Sequence, residues 1–429
     1  LRKKLVLIAA ALVLAFAGSA VAYFALVRDE PAGRLDTELA GISYVSIPPD
    51  TEPPPPTATV PEEPVPPPVE TETQPPLEPE EGPCWPEFGG NPQRTLARTQ
   101  LDLGTPVEPA VWARRMGSYM EYPPSFCDGR LYVNTNEGLT LALEADTGEV
   151  LWERKGGVHA STPAIAGEYL IVTSHDGTVT GLRRDDGKVV WQLQTGAKVE
   201  SSPVAIGDTV YAGVTDGRLF ALDVATGKVR WAYDTGGRIN SSPSVWGNRI
   251  CITTYAGSIF CLDRRDGSKR WSTYVKRDAF RYESFYASPA TDGERLYTLA
   301  RSGRVVALDA RNGDVVWTQS VSSLGYPTPA VADGRVFVGG FDGKLRAFRA
   351  ETGELLWETS VPGRIGASAL VVGELVFFST LETETYAARV GDGKIVWKIA
   401  LGKYAPGIAT DERYYFSLNG LLVAFEGAG

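Results

Sequence analysis

Histidine and methionine are almost missing from this chain of 429 residues, which has two of each. The two imidazoles, His159 and His175, lie in one stretch, and His175 belongs to a turn. They leave no basis for a His-rich metal site, a His general base or a Ser-His-Asp arrangement. Cysteine is scarce too: Cys84, Cys127, Cys251 and Cys261, no two adjacent, and none just after the apolar N-terminal run. A lipid anchor at that run is therefore not expected. There is no excess of positive charge either. The net charge is −10, and thirteen acidic residues against two basic ones fall between 28 and 83. The remainder is close to neutral, which argues against a nucleic-acid partner.

Long apolar runs are also lacking, with one exception. Leu5–Val27 carries no charge and is long enough to cross a bilayer. Arg2, Lys3 and Lys4 precede it, so the expected topology is a cytoplasmic N-terminus and an extracytoplasmic remainder, at the cell membrane. A cleaved signal peptide, cut near Gly18-Ser19-Ala20 or Ala20-Val21-Ala22, is the competing reading; Tyr23–Val27 continues the apolar run past either point and favours an anchor. Residues 28–83 are rich in Pro, Glu and Thr, with runs such as Pro53–Pro56 that can join neither helix nor ladder. An extended or disordered stalk is expected there.

What the chain does have is a repeat. Ala221–Trp231 reads A-L-D-V-A-T-G-K-V-R-W, and the same pattern returns with its Trp at Trp152, Trp191, Trp231, Trp271, Trp317, Trp357 and Trp397, spaced 39, 40, 40, 46, 40 and 40 residues apart. A fixed period with strand content marks a repeat architecture whose units must cover one another's apolar faces. Each unit runs from a Ser-Pro step through a short strand to an alternating strand such as Thr209–Val214. An Asp-Gly turn, a third strand, a Thr-Gly or Asp-Gly turn and the Trp strand follow. Four antiparallel strands make one propeller blade. Trp112 lies 40 residues before Trp152 without a blade of its own, and the last stretch has three strands and no Trp. The expected fold is all-β: an eight-bladed propeller over 84–429, its last blade closed by an outer strand from Val107–Arg114, with seven blades as the alternative.

The motif A-x-D-x-x-T-G-K-x-x-W, met in full by Ala221, Asp223, Thr226, Gly227, Lys228 and Trp231, resembles the tryptophan-docking motif of the quinoprotein-type, PQQ-repeat propellers. That superfamily includes quinoprotein alcohol dehydrogenases and the BamB-like lipoprotein of the outer-membrane β-barrel assembly machinery. The resemblance implies that each Trp, Trp112 among them, packs against the next blade. Some blades depart from the motif: Arg349, Arg389, Glu426 and Glu144 stand where Asp223 would be, and L-E-T-E-T at 381–385 replaces an Asp-Gly turn. Those blades are expected to be looser.

Chemistry is harder to find than fold. Asp at the turns offers one carboxylate per turn, too few for a calcium loop. The resemblance to the dehydrogenases would require pyrroloquinoline quinone and a calcium site of Glu, Asn and Asp. Glu200 and Asn240 are suggestive neighbours, but a matching Asp and the family's adjacent Cys pair are missing, so neither cofactor nor catalytic residues are expected. Cys251 and Cys261 face each other across their hairpin if its loop has three residues, and point to opposite faces if it has two; Cys84–Cys127 would tie the lead-in to the first blade. Aligned on the Ser-Pro step, the positions ringing the channel mouth are Glu121, Ala160, Glu200, Asn240, Tyr286, Tyr326, Ile365 and Tyr404. The longest step between Trp residues inserts a basic, aromatic loop at 276–286, with Arg277, Phe280, Arg281, Tyr282 and Phe285. Rim and loop suit a protein or cell-envelope ligand. The reading is a non-catalytic, membrane-anchored binding or scaffold module. A quinone-dependent dehydrogenase and a BamB-like assembly factor are the alternatives.

Overall fold

The computed structural model describes residues 84–429, other than 119, 160, 323–325, 404–406 and 419, together with a two-residue strand Tyr44–Val45. The apolar run Leu5–Val27, the rest of the 28–83 segment and the rim position Tyr404 lie outside the described residues. Among the described residues no helix is long and apolar enough to cross a membrane.

Eight antiparallel sheets carry the fold. Blade 1 comprises Ser125–Cys127, Arg130–Asn134, Leu139–Glu144 and Val150–Lys155. Blades 2 to 7 repeat that order and begin at Ala164, Val204, Ser244, Ala290, Ala330 and Leu370. Blade 8 takes Ile408–Ala409, Arg413–Leu418 and Leu421–Glu426 from the C-terminal stretch and Trp112–Arg115 as its outer strand. The seam is antiparallel, with Trp112 opposite Ala424 and Arg115 opposite Leu421, and backbone bonds from Val107 to Glu426 and from Val111 to Ala424 extend it. Joining the two ends of the ring in one sheet removes the open edges that an unclosed blade would leave.

The repeated motif now has a physical meaning at each position. The Ala of the motif lies directly opposite the Trp, as Ala221 opposite Trp231, and elsewhere the partner is Gly181, Cys261 or another Ala. Only a small residue leaves room for the indole across the strand pair. A register shift follows that pair in all seven internal Trp blades, Ala221/Leu222 among them, which aims the ring out toward the neighbour. The indole N–H then donates to a carbonyl of the next blade: Trp191 to Val224 at 2.7 Å, Trp231 to Arg264 at 3.1 Å, Trp317 to Ala350 at 2.8 Å, with Trp112, Trp152, Trp271 and Trp357 bonded alike. Trp397, beside the seam, stacks on Phe416. The Gly of the Thr-Gly turn lies under the ring of the preceding blade.

At Glu144 and Arg349 the departures leave strands of full length, whereas blade 7, with Arg389 and the 381–385 turn, has its two outer strands cut to five residues each. Asp223 caps its turn by accepting from Thr226 N at 2.9 Å. Where Arg replaces it, Arg349 bonds Glu354 at 2.9 Å and Arg389 bonds Asp392 at 3.0 Å, so an ion pair bridges the same turn and the register shift is kept. In the 381–385 turn, Thr383 takes the positive φ that Gly holds elsewhere.

The Ser-Pro step is a ring of its own. Ser202, Ser242, Ser288, Thr328 and Ser368 each accept, through the side-chain hydroxyl, the backbone N–H of the aligned residue one blade earlier, at 2.8–3.2 Å. These hydroxyls tie the inner strands together around the axis.

The lead-in does more than anchor. Residues 84–98 form a strap along the inner strands, visiting the blades in order. Trp85 pairs with Phe126 of blade 1, Pro86 O accepts from Ile165, Glu87 Oε2 from Ala205, Pro92 O from Val245, Gln93 O from Thr291, Thr95 O from Val331 and Leu96 O from Val371. Ala97–Arg98 ends it as a parallel strand on blade 7. Trp85 is fully buried, and so is Arg94, whose guanidinium donates to the carbonyls of Pro243, Ser202, Pro203 and Phe88. Arg94 and Leu96 hold positive φ, a cost that this bonding offsets. A disulfide joins Cys84 to Cys127 and pins the start of the strap to blade 1. The second joins Cys251 and Cys261, directly opposite each other on a hairpin with three residues between Thr254 and Ser258.

Candidate functional site

The strap closes the channel from within and leaves a blind cavity at the mouth. Its volume is about 380 Å³. Phe88 and Leu96 of the strap line it from below; Glu121, Tyr122, Asn240, Tyr286, Tyr326, Phe341 and Leu381 are among the residues around it. Glu121, Asn240, Tyr286 and Tyr326 from the expected rim are thus brought together. Glu200 sits just behind, bonded through Oε2 to the Asn240 amide. Ile365 is buried and takes no part in the cavity wall.

Two kinds of surface meet in this cavity. One side is aromatic. Tyr255, Tyr286 and Tyr326 form a series of edge-to-face contacts, with ring centres 6.2 Å and 5.3 Å apart. Arg238 and Arg301 lie over the Tyr255 ring, and Arg364 over Phe341. The other side is acidic. Burial raises the Glu121 carboxyl above its ordinary value, and the charge of Glu200 adds to the rise. Burial works the same way on Glu200, but the bonded ammonium of Lys198, the Asn240 amide and the Arg238 guanidinium at 3.9 Å outweigh it and hold that group low. Tyr122 is pushed well above the ordinary phenol range by burial, so it stays a neutral donor.

The loop at 276–286 is a small ordered hairpin. Lys276 bridges Tyr282, Arg277 N donates to Arg281 O at 2.8 Å, and Asp278 accepts from the backbone of Phe280 and Arg281 at 3.0 Å each. Arg304 bonds the Lys276 carbonyl at 2.7 Å and holds the base. Phe280 stands at the tip, 95% exposed, with Arg277, Arg281 and Tyr282 beside it. Phe285 corrects the sequence reading: it is fully buried in the core beneath blades 4 and 5 and offers no surface. Alternation decided its fate, since the chain re-enters the blade there and Phe285 bridges Ala300.

Burial lowers both histidines, and His159 is enclosed between Thr173 O at 2.8 Å and the Thr140 hydroxyl at 3.4 Å.

With this geometry the chain can be set beside known proteins. A family model described as outer membrane protein assembly factor BamB matches residues 107–279 and 257–414. The chain belongs to this family. It is a PQQ-repeat propeller. No curated protein sequence matches significantly. Among solved structures, the crystal structure of BamB from Moraxella catarrhalis is 18% identical, with a TM-score of 0.65 over 75% of this chain and 100% of that one. Quinohemoprotein alcohol dehydrogenase from Comamonas testosteroni is 15% identical, with a TM-score of 0.68 over 80% of each chain. A europium-containing methanol dehydrogenase is 15% identical, with a TM-score of 0.67 over 78% of this chain and 89% of that one. At these identities the likeness is one of fold.

The fold thus raises the question of a quinone and its metal, and the mouth does not fit them. Glu200 is already neutralised by Lys198 and Arg238, and Asn240 presents its N–H₂ to that carboxylate rather than joining it as a second oxygen ligand. Neither disulfide joins adjacent cysteines, the separations being 43 and 10 residues. Among the described residues the one tight cluster of metal-ligand types is Cys84, Cys127 and Asp128, and its two sulfurs are bonded to each other. The strap's Phe88 and Leu96 occupy the channel below the cavity.

Proposed function

We propose that the chain is a non-catalytic binding module, held outside the cytoplasm by its N-terminal segment, that presents the channel mouth to a protein or cell-envelope partner. The observation that carries this reading is the blind cavity: the strap supplies its floor, so the mouth is a socket and not a passage. Aromatic rings, polar groups that converge on one space, and an adjoining hairpin with an exposed Phe are what a recognition surface uses. Family membership favours a second, narrower reading, in which the partner belongs to outer-membrane protein assembly.

The test uses the full chain with a photo-crosslinking residue at 280 or 326, and at 185 on a turn of the opposite face. Crosslinks at the first two positions and none at the third are expected; equal yields at all three refute the reading. In parallel, the full chain given pyrroloquinoline quinone and calcium should neither retain quinone absorbance nor oxidise alcohols in a dye-coupled assay. Activity there would replace the binding reading with a dehydrogenase.

A further inference from the structure

We infer that the outer edge of blade 3 is a docking site for residues 42–47 of this same chain, which add to that sheet as a further strand. The docking does not depend on what the mouth binds. The first observation is the pairing itself. Tyr44–Val45 runs parallel to the outer strand Val229–Asp234, with Tyr44 opposite Ala232 and Val45 opposite Tyr233. The last strand of a blade leaves one row of backbone N–H and C=O groups without a neighbour, and an extended segment can meet them. Among the described residues, blade 3 is the one blade with a strand beyond its Trp strand.

The second observation is that blade 3 departs from the other blades at the two residues that meet the segment. In the other six internal blades the pair after the Trp includes a charged or polar residue, as in Glu153-Arg154 and Glu358-Thr359, and it is exposed or half-buried. In blade 3 the pair is Ala232-Tyr233, and the two are 8% and 4% exposed. The Tyr233 ring rests 5.9 Å from that of Phe260 in blade 4, which fixes an apolar footing at the edge. The segment is exceptional in its turn. Residues 39–47 carry neither charge nor Pro, and they hold the only aromatic residue and both isoleucines of 28–83. Ile42, Tyr44, Val45 and Ile47 favour a strand, whereas the Pro runs further along 28–83 cannot join a ladder. An exception in the ring and an exception in the lead segment therefore meet at one place. The 38 residues between Val45 and Cys84 reach about 120 Å when extended, so the same chain can supply the strand. The consequence is a shorter tether. With the N-terminal segment as anchor, docking leaves 28–43 free in place of 28–83, a reach of about 50 Å rather than about 170 Å at the polyproline rise.

The test follows hydrogen exchange by mass spectrometry in the purified full chain. Amides of 229–234 should exchange about tenfold more slowly than those of the matching outer strands at 189–194 and 269–274. Val45→Pro lies outside the ring, removes one backbone donor and spoils the strand, and should bring 229–234 to the rate of the other two. A photo-crosslinking residue at 44 then identifies the supplier in a mixture of light and isotope-heavy protein. Crosslinks to 229–234 that join light to light and heavy to heavy, and not light to heavy, are expected. Equal exchange in the three strands of the native chain overturns the docking, as does slow exchange that survives Val45→Pro. Crosslinks between light and heavy chains overturn the same-chain assignment and make the occupant a second copy.

Discussion

Gly227 offers the sharpest test of how the blades are held together. It sits in the Thr-Gly turn of blade 3 with φ +68°, and a Cβ placed on it would lie 2.4 Å from the ring of Trp191 in blade 2. The indole is poorly placed to yield, being 8% exposed and bonded to Val224 O at 2.7 Å. Gly236 is the internal control: its φ is +67°, and a Cβ there meets nothing within 4 Å. Alanine at either site incurs the left-handed backbone cost of about 1–2 kcal/mol. At Gly227 it incurs in addition the overpacking of a filled site, about 1–3 kcal/mol. The expected result is that Gly227→Ala is less stable than Gly236→Ala by about 2 kcal/mol, read from urea midpoints at matched slopes. In a Trp191→Phe background the excess should shrink, because the clashing atoms belong to the larger ring. Equal losses in Gly227→Ala and Gly236→Ala would mean that the recurring geometry of ring over glycine is incidental and that the blades are held together by something else.

Two further outcomes follow from the strap. Burial raises the Glu87 carboxyl from 4.5 to about 7, against the lowering effect of Arg94. A carboxyl raised in the folded state binds protons there more readily than in the unfolded chain, so its contribution to stability is full below about pH 4.5 and declines as the pH climbs toward 7. Thermal melts should record that decline, and Glu87→Gln should flatten it; an unchanged profile would show that Glu87 titrates as an ordinary surface acid. Cys127→Ser opens the link to Cys84 across 43 residues. The chain-entropy estimate for a loop of that size is about 4 kcal/mol as an upper bound, so a lower melting temperature and proteolytic cuts within 84–98 are expected. Wild-type protease resistance there would make the strap independent of its disulfide.

What was legible in the sequence was whatever repeats. A strand opposite a Trp strand needs a small residue, a turn under an indole needs Gly, and both needs recur every forty residues or so; from these the blade, the count and the closing strand near Trp112 could be read. The rim was legible for the same reason. Alignment on the Ser-Pro step puts Glu200 beside Asn240 and Tyr286 beside Tyr326, and the structure places these pairs in contact. The strap is the opposite case. Its partners, Phe126, Ile165, Ala205, Val245, Thr291, Val331 and Val371, come one from each of seven blades, so no local period points to it. Glu87 and Arg94 read as two charges in a short lead-in; only the closed ring reveals that they are buried on its axis, where Arg94 meets four carbonyls. The same limit applies to function. Each blade's motif is satisfied by its neighbour, so the repeat describes how the ring coheres and leaves no group over for chemistry. Groups that the period does not explain include Phe280 on the inserted hairpin and Phe88 and Leu96 under the mouth. A function built on this fold has to be sought where the repeat is broken, and in this chain the strap, which no repeat announces, puts Phe88 and Leu96 under the mouth and makes a socket of it.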